Sequence, residues 1–127
     1  MNDTTDTVAI TVNIPTQRIA DIIDNAPEAI AYWGSFETYQ IDGVWAGEAV
    51  MAGKELKIIE TDWGNDNGSD ESELTEHTLT REKVLDALTL MANHSQVTFV
   101  DIMTEDDYVG TSDSLIQLAL FGEVKYG

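Results

Sequence analysis

The stretch ELKIIETDWGNDNGSDESELTEHTL, residues 55–79, decides the fold. In ELKIIETDW, Leu56 and Ile58, with Glu60 next in the same register, alternate with Lys57, Ile59 and Thr61, which is the two-residue period of a strand. GNDNGSD follows with turn chemistry alone, and ELTEHTL returns as an antiparallel partner. Upstream, Val8, Ile10, Val12 and Ile14 of VAITVNIP alternate as a further strand ended by Pro15. Thr16 then caps a helix through TQRIADIIDN, with Ile19, Ile22 and Ile23 on one face, and Pro27 opens a short second helix, PEAIAYW. SFETYQI reads as a strand and IDGVWAGEAVMAG, with three glycines, as turn and irregular strand. Downstream, Thr80 caps REKVLDALTLMAN, whose Val84, Leu88 and Met91 recur at helical spacing. SQVTFVDIM suits either a helix or a strand. TSDSLIQLALFG has a capping residue, an apolar run and a terminal glycine, the marks of a buried helix. The expected fold is α+β: a small antiparallel sheet packed against two to four helices, in a single acidic domain over residues 1–127 with residues 1–7 as a frayed tail.

The chain of 127 residues can bury a real core, and 43% hydrophobic content argues against wholesale disorder. Its charge is unusual. Asp and Glu number 24 against 6 Lys and Arg, a net −18. Such a surface repels itself and repels polyanions, so direct binding to nucleic acid or to an anionic membrane is not expected. Cationic partners remain. There is no cysteine, hence no disulfide, thiolate nucleophile or cysteine zinc site. MNDTTDTVAI has neither the basic start nor the apolar run of a signal peptide, and no window approaches a membrane span, so a cytoplasmic location is expected.

The acidic stretch invites a calcium reading. Counting Asp62 as position 1 of an EF-hand loop places Asp66, Asp70 and Glu73 at donor positions, but Gly64 stands at position 3 and Asn67 where the glycine is required. A solvated acidic loop is the better reading, and no metal or other cofactor is expected. His77 and His94 do not form a zinc motif, and no P-loop, nucleophile elbow or dinucleotide fingerprint is present, so no enzyme activity is expected. Tyr32, Trp33, Phe36, Tyr39, Trp45 and Trp63 could line a sugar or peptide platform; filling the core is the simpler role.

EDDYVGTSDSLIQLALFGEVKYG carries an acidic pair (Asp106, Asp107), a helix start (Thr111, Asp113), Gln117 in an apolar helix, and the phrase Phe121, Gly122, Glu123, Tyr126, Gly127. Upstream, AYWG supplies Tyr32 and Trp33, and LTREKVLDALTLMA follows Leu79 and Thr80. In these features, spread over roughly residues 17–127, the chain resembles a family of small phage and prophage proteins, departing from it in lacking a Gly-Gly before the tyrosine and in its greater acidity. The resemblance implies a mobile-element origin and tips SQVTFVDIM towards helix; it supplies no catalytic residues. Charge and resemblance together lead to one expectation: a DNA mimic of the anti-restriction or anti-CRISPR type, inhibiting a basic, nucleic-acid-binding host protein. Asp62, Asp66, Asp70, Glu71, Glu73 and Glu76 form the first expected binding patch, and Glu105, Asp106 and Asp107 the second. A non-enzymatic phage assembly component, a halophilic protein-binding module, a calcium-dependent module and a homo-oligomer stay open as alternatives.

Overall fold

The computed structural model describes residues 4–8, 11–62, 73–94, 99–100 and 109–127. Among them the chain forms α1 (Thr16–Asp24), α2 (Ala26–Ala29), β1 (Gly34–Phe36), β2 (Gln40–Ile41), β3 (Val44–Trp45), α3 (Ala46–Met51), β4 (Leu56–Asp62), β5 (Glu73–Leu79), α4 (Arg81–His94) and α5 (Val109–Phe121). The α+β expectation holds.

β4 is the centre of a three-stranded antiparallel sheet of order β1-β4-β5. Its alternation sorts the residues as the sequence implies. Leu56, Ile58 and Glu60 face the core, with Leu79 opposite Leu56 and His77 opposite Ile58. Lys57, Ile59 and Thr61 lie on the outer face, where the Lys57 ammonium donates to the Thr78 hydroxyl at 2.7 Å. α5 is apolar almost all round and is surrounded by α1, α2, α4 and β5. Ile22, Ile23, Ile30, Trp33, Leu115 and Ile116 meet in the core between helices and sheet. Full burial of such a side chain is worth about 2 kcal/mol.

Capping follows the sequence at two ends. The Thr80 hydroxyl accepts the Lys83 N–H at 3.3 Å, and Gly122, at φ 73°, closes α5 with its N–H on the Leu118 carbonyl.

Several expectations fail: Thr111 lies inside α5, which starts at Val109, rather than capping it, and SFETYQI is strand only at its two ends, 35–36 and 40–41. VAITVNIP is not a strand over its described residues, 8 and 11–15, which have no sheet partner. Thr16 begins α1 rather than capping it; the N-cap is Pro15, which makes no side-chain cap bond. Most informatively, AGEAVM is a helix. IDGVW forms a tight hairpin, β2–β3, whose Asp42 and Gly43 have φ of 52° and 83°, the signs that a type I′ turn requires. α3 then begins at once. Its start is capped from another helix: an Asp24 oxygen accepts the Gly47 N–H at 2.8 Å. Burial, followed by the charges of Asp21 and Glu48, raises the Asp24 pKa, and the Gly47 hydrogen bond partly offsets them. Gly47 lies so close to α1 that a Cβ there would stand 2.1 Å from the Ala20 carbonyl oxygen. Among the described residues no helix is long and apolar enough to cross a membrane.

Candidate functional site

The expected acidic patches are only partly placed. Asp62 ends β4 and Glu73 opens β5, directly opposite each other in the register. Glu76 is exposed on β5, with the Lys57 ammonium 3.8 Å away. Asp66, Asp70, Glu71, Glu105, Asp106 and Asp107 lie outside the described residues, as do Trp63 and most of the 62–73 loop. No group of three or more acidic or histidine side chains suited to a metal occurs among the described residues.

Glu60 departs from the surface role that its acidic neighbours suggest. It is 5% exposed, on the core face of β4. The His77 Nε2 lies 2.8 Å from one carboxylate oxygen; the Lys125 Nζ donates to the other at 2.7 Å, and the Tyr126 hydroxyl donates to the same oxygen. Burial opposes its ionisation, but hydrogen bonds from Lys125, Tyr126 and His77, with the Lys125 charge, outweigh burial and pull the Glu60 pKa down to about 2. So firmly held an anion is a poor general base near neutrality. It anchors the C-terminal segment to the sheet.

A second network, centred on one buried amide and reaching the surface, continues from the first. Gln117, fully buried in α5, accepts the backbone N–H of both Lys125 and Tyr126 at 2.7 Å and donates to the Tyr126 carbonyl at 2.9 Å. It also donates to Asp113 at 2.8 Å. Asp113 accepts the Trp33 indole N–H at 2.8 Å and the Tyr32 hydroxyl at 2.5 Å. Burial, then the bond and charge of Asp113, push the Tyr32 pKa up to about 12. The Tyr126 ring stacks on Trp33 with centroids 5.4 Å apart and planes within 6°. Phe121 meets Trp33, His77 and Tyr126 edge-on or tilted. Tyr32, Trp33, Asp113, Gln117, Phe121 and Tyr126, drawn from two distant stretches of the sequence, therefore meet in one lock.

This lock was not among the expected sites, although two signals for it were present. The strand alternation aims Glu60 inward, and Gln117 interrupts an apolar helix; a buried polar group in either position needs partners.

The aromatic residues divide. Trp33 and Phe36 fill the core, whereas Tyr32, Tyr39 and Trp45 are 50%, 59% and 58% exposed, so core filling is corrected for half of the set.

The basic side chains are engaged within the molecule. Lys54 pairs with Asp42 at 3.4 Å, Lys57 with Thr78 and Glu76, and Lys125 with Glu60. Arg81 donates to the Met51 carbonyl and Lys83 to the Thr78 carbonyl, both at 2.7 Å. In contrast, Glu28, Glu37, Glu48, Glu55, Glu82 and Asp86 are exposed without an ion pair among the described residues.

Comparison with protein-family models, curated proteins and solved structures finds no match to this chain.

Proposed function

We propose that the chain is an acidic phage-type protein that occupies the nucleic-acid-binding surface of a basic host defence protein by charge mimicry. The observation that carries this reading is the asymmetry of charge use: the basic groups serve the fold, and many carboxylates are left to solvent. Glu82 and Asp86 show the principle. Both are exposed on α4, and four residues of helix separate them by about 6 Å along the axis, so two anions stand on one rigid element. A protein that binds DNA through Lys and Arg gains affinity by releasing counterions, and fixed carboxylates can exploit the same cationic groups. The resemblance of the C-terminal phrase and AYWG to small phage proteins supports a mobile-element setting.

The test is capture on the immobilised chain from host lysate, with elution by salt or by a DNA duplex. The expected result is a basic nucleic-acid-binding protein that both eluents release, and whose DNA binding the purified chain inhibits. Recovery only of phage structural proteins that survive high salt would replace mimicry with an assembly role.

A further inference from the structure

The register of the sheet fixes which backbone groups of β5 are left over. The Lys57 carbonyl accepts the Glu37 N–H at 2.9 Å, and the Thr61 N–H donates to the Trp33 carbonyl at 2.8 Å. The odd-numbered residues of β4 therefore turn their backbone groups towards β1 and its flanks. The even-numbered ones turn theirs towards β5, where Leu56, Ile58, Glu60 and Asp62 stand opposite Leu79, His77, Thr75 and Glu73. Leu74, Glu76 and Thr78 are left to point their N–H and C=O groups away from β4, at the edge of the sheet. The Lys83 ammonium donates to the Thr78 carbonyl at 2.7 Å, which places that carbonyl outward independently. Leu74 and Glu76 have no such cover: among the described residues no hydrogen bond reaches the N–H or C=O of either. The Leu74 side chain beside them is 69% exposed. Unpaired groups in strand geometry are a template for a further strand.

We infer that a second copy of this chain takes this edge, β5 against β5 about a two-fold axis, joining two three-stranded sheets into one of six strands. A two-fold axis makes the paired strands antiparallel and the contact self-complementary. Setting Leu74 opposite Glu76 of the second copy satisfies the N–H and C=O of both residues in both copies, with four hydrogen bonds. The axis then passes between the two Thr75 residues, which meet as a close non-hydrogen-bonded Thr–Thr pair. Registers that bring Thr78 to the seam need the carbonyl that Lys83 already holds. Local charge selects a like copy over a cationic strand. The Lys57 ammonium lies 2.7 Å from the Thr78 hydroxyl and 3.8 Å from the Glu76 carboxylate, so Lys57 and Lys83 both gather at this edge and repel a basic strand. The net charge of −18 still opposes contact between copies, and it gives the pairing a signature: salt strengthens it, whereas salt releases the cationic partner of the proposed function.

The test is sedimentation of the full-length chain. Raising sodium chloride from about 20 mM to about 500 mM should tighten dimerisation about tenfold or more, because the Debye length falls from roughly 20 Å to roughly 4 Å. Leu74→Lys sets an ammonium opposite Glu76 of the second copy and should tighten the dimer about threefold or more, while Leu74→Glu should weaken it by as much. Glu82→Lys on α4 changes the net charge further, yet in high salt it should shift the dimer by less than about twofold. The chain has no cysteine, so Thr75→Cys places a single thiol at the axis. Opposed Cα atoms of a non-hydrogen-bonded pair lie about 4.5 Å apart, within disulfide reach. Oxidation should link copies there at least about tenfold faster than through Ser35→Cys, on the exposed face of β1. A chain that stays monomeric in high salt would overturn the inference, as would equal linking through the two thiols or a dimer indifferent to the Leu74 variants. Monomers whose capture of a basic host protein is weakened by Leu74→Glu would give the edge to that partner and overturn it too.

Discussion

Glu60 and Gln117 each hold a polar group where burial would otherwise forbid it, and each can be tested singly. The Glu60 pKa is lowered from an ordinary 4.5 to about 2. The sign is that of a stabilising carboxylate: its contribution is fully present above pH about 4.5 and is lost as the pH falls towards 2. Converted by linkage, the shift corresponds to about 3 kcal/mol at most. Urea titrations of the parent and Glu60→Gln across pH 2–7 should therefore show a stability gap that is widest above about pH 4.5 and closes towards pH 2. A gap independent of pH would mean that the carboxylate charge is not what holds the C-terminal segment. Gln117→Leu keeps the volume but leaves the N–H groups of Lys125 and Tyr126 and the carbonyl of Tyr126 without that partner. A loss of about 3 kcal/mol is expected from the urea midpoint, since each buried group left unpaired costs about 1–3 kcal/mol.

Among the elements, α3 best separates what local sequence specifies from what packing imposes. Gly47→Ala would improve helix propensity by about 1 kcal/mol in an isolated peptide. Here its Cβ meets the Ala20 carbonyl 2.1 Å away, a backbone atom that can give way only if α1 shifts. The expected outcome is destabilisation by about 3 kcal/mol or more, read as a fall in thermal midpoint. The same contact explains why the helix was illegible. Six residues with an internal glycine and no cap of their own have no helical signature; Asp24, 23 positions earlier, supplies the cap. VAITVNIP errs in the opposite direction. It alternates well, but alternation specifies a strand only where a sheet edge is available, and its described residues lie along none. β4, β5 and α4 were legible because each carries its own periodicity, and α5 because an unbroken apolar run ends at a helix-stopping glycine; Thr80 and Gly122 mark two of the boundaries. Of the acidic site, composition revealed the excess charge and alternation with Leu56 and Ile58 aimed Glu60 inward, but its donors Lys125 and Tyr126 stand 65 and 66 residues away, beyond any local pattern.

Over the whole molecule, a charge of −18 on 127 residues opposes compaction. Adding sodium chloride from about 20 mM to about 500 mM shortens the Debye length from roughly 20 Å to roughly 4 Å, so the thermal midpoint should rise by several degrees. A larger rise with calcium than with sodium chloride at matched ionic strength would instead mark a metal-dependent module. No rise with either salt would mean that the carboxylates are too dispersed to repel one another. The closing network also orders events during synthesis. The ribosome delivers Glu60 well before Lys125 and Tyr126, 65 and 66 residues later, and presents Gln117 before the two backbone N–H groups it accepts. Until residues 125 and 126 leave the exit tunnel, Trp33 lacks its stacking partner and Glu60 lacks two of its three donors. The nascent chain can gather its earlier helices first, but this lock forms only once Lys125 and Tyr126 have emerged.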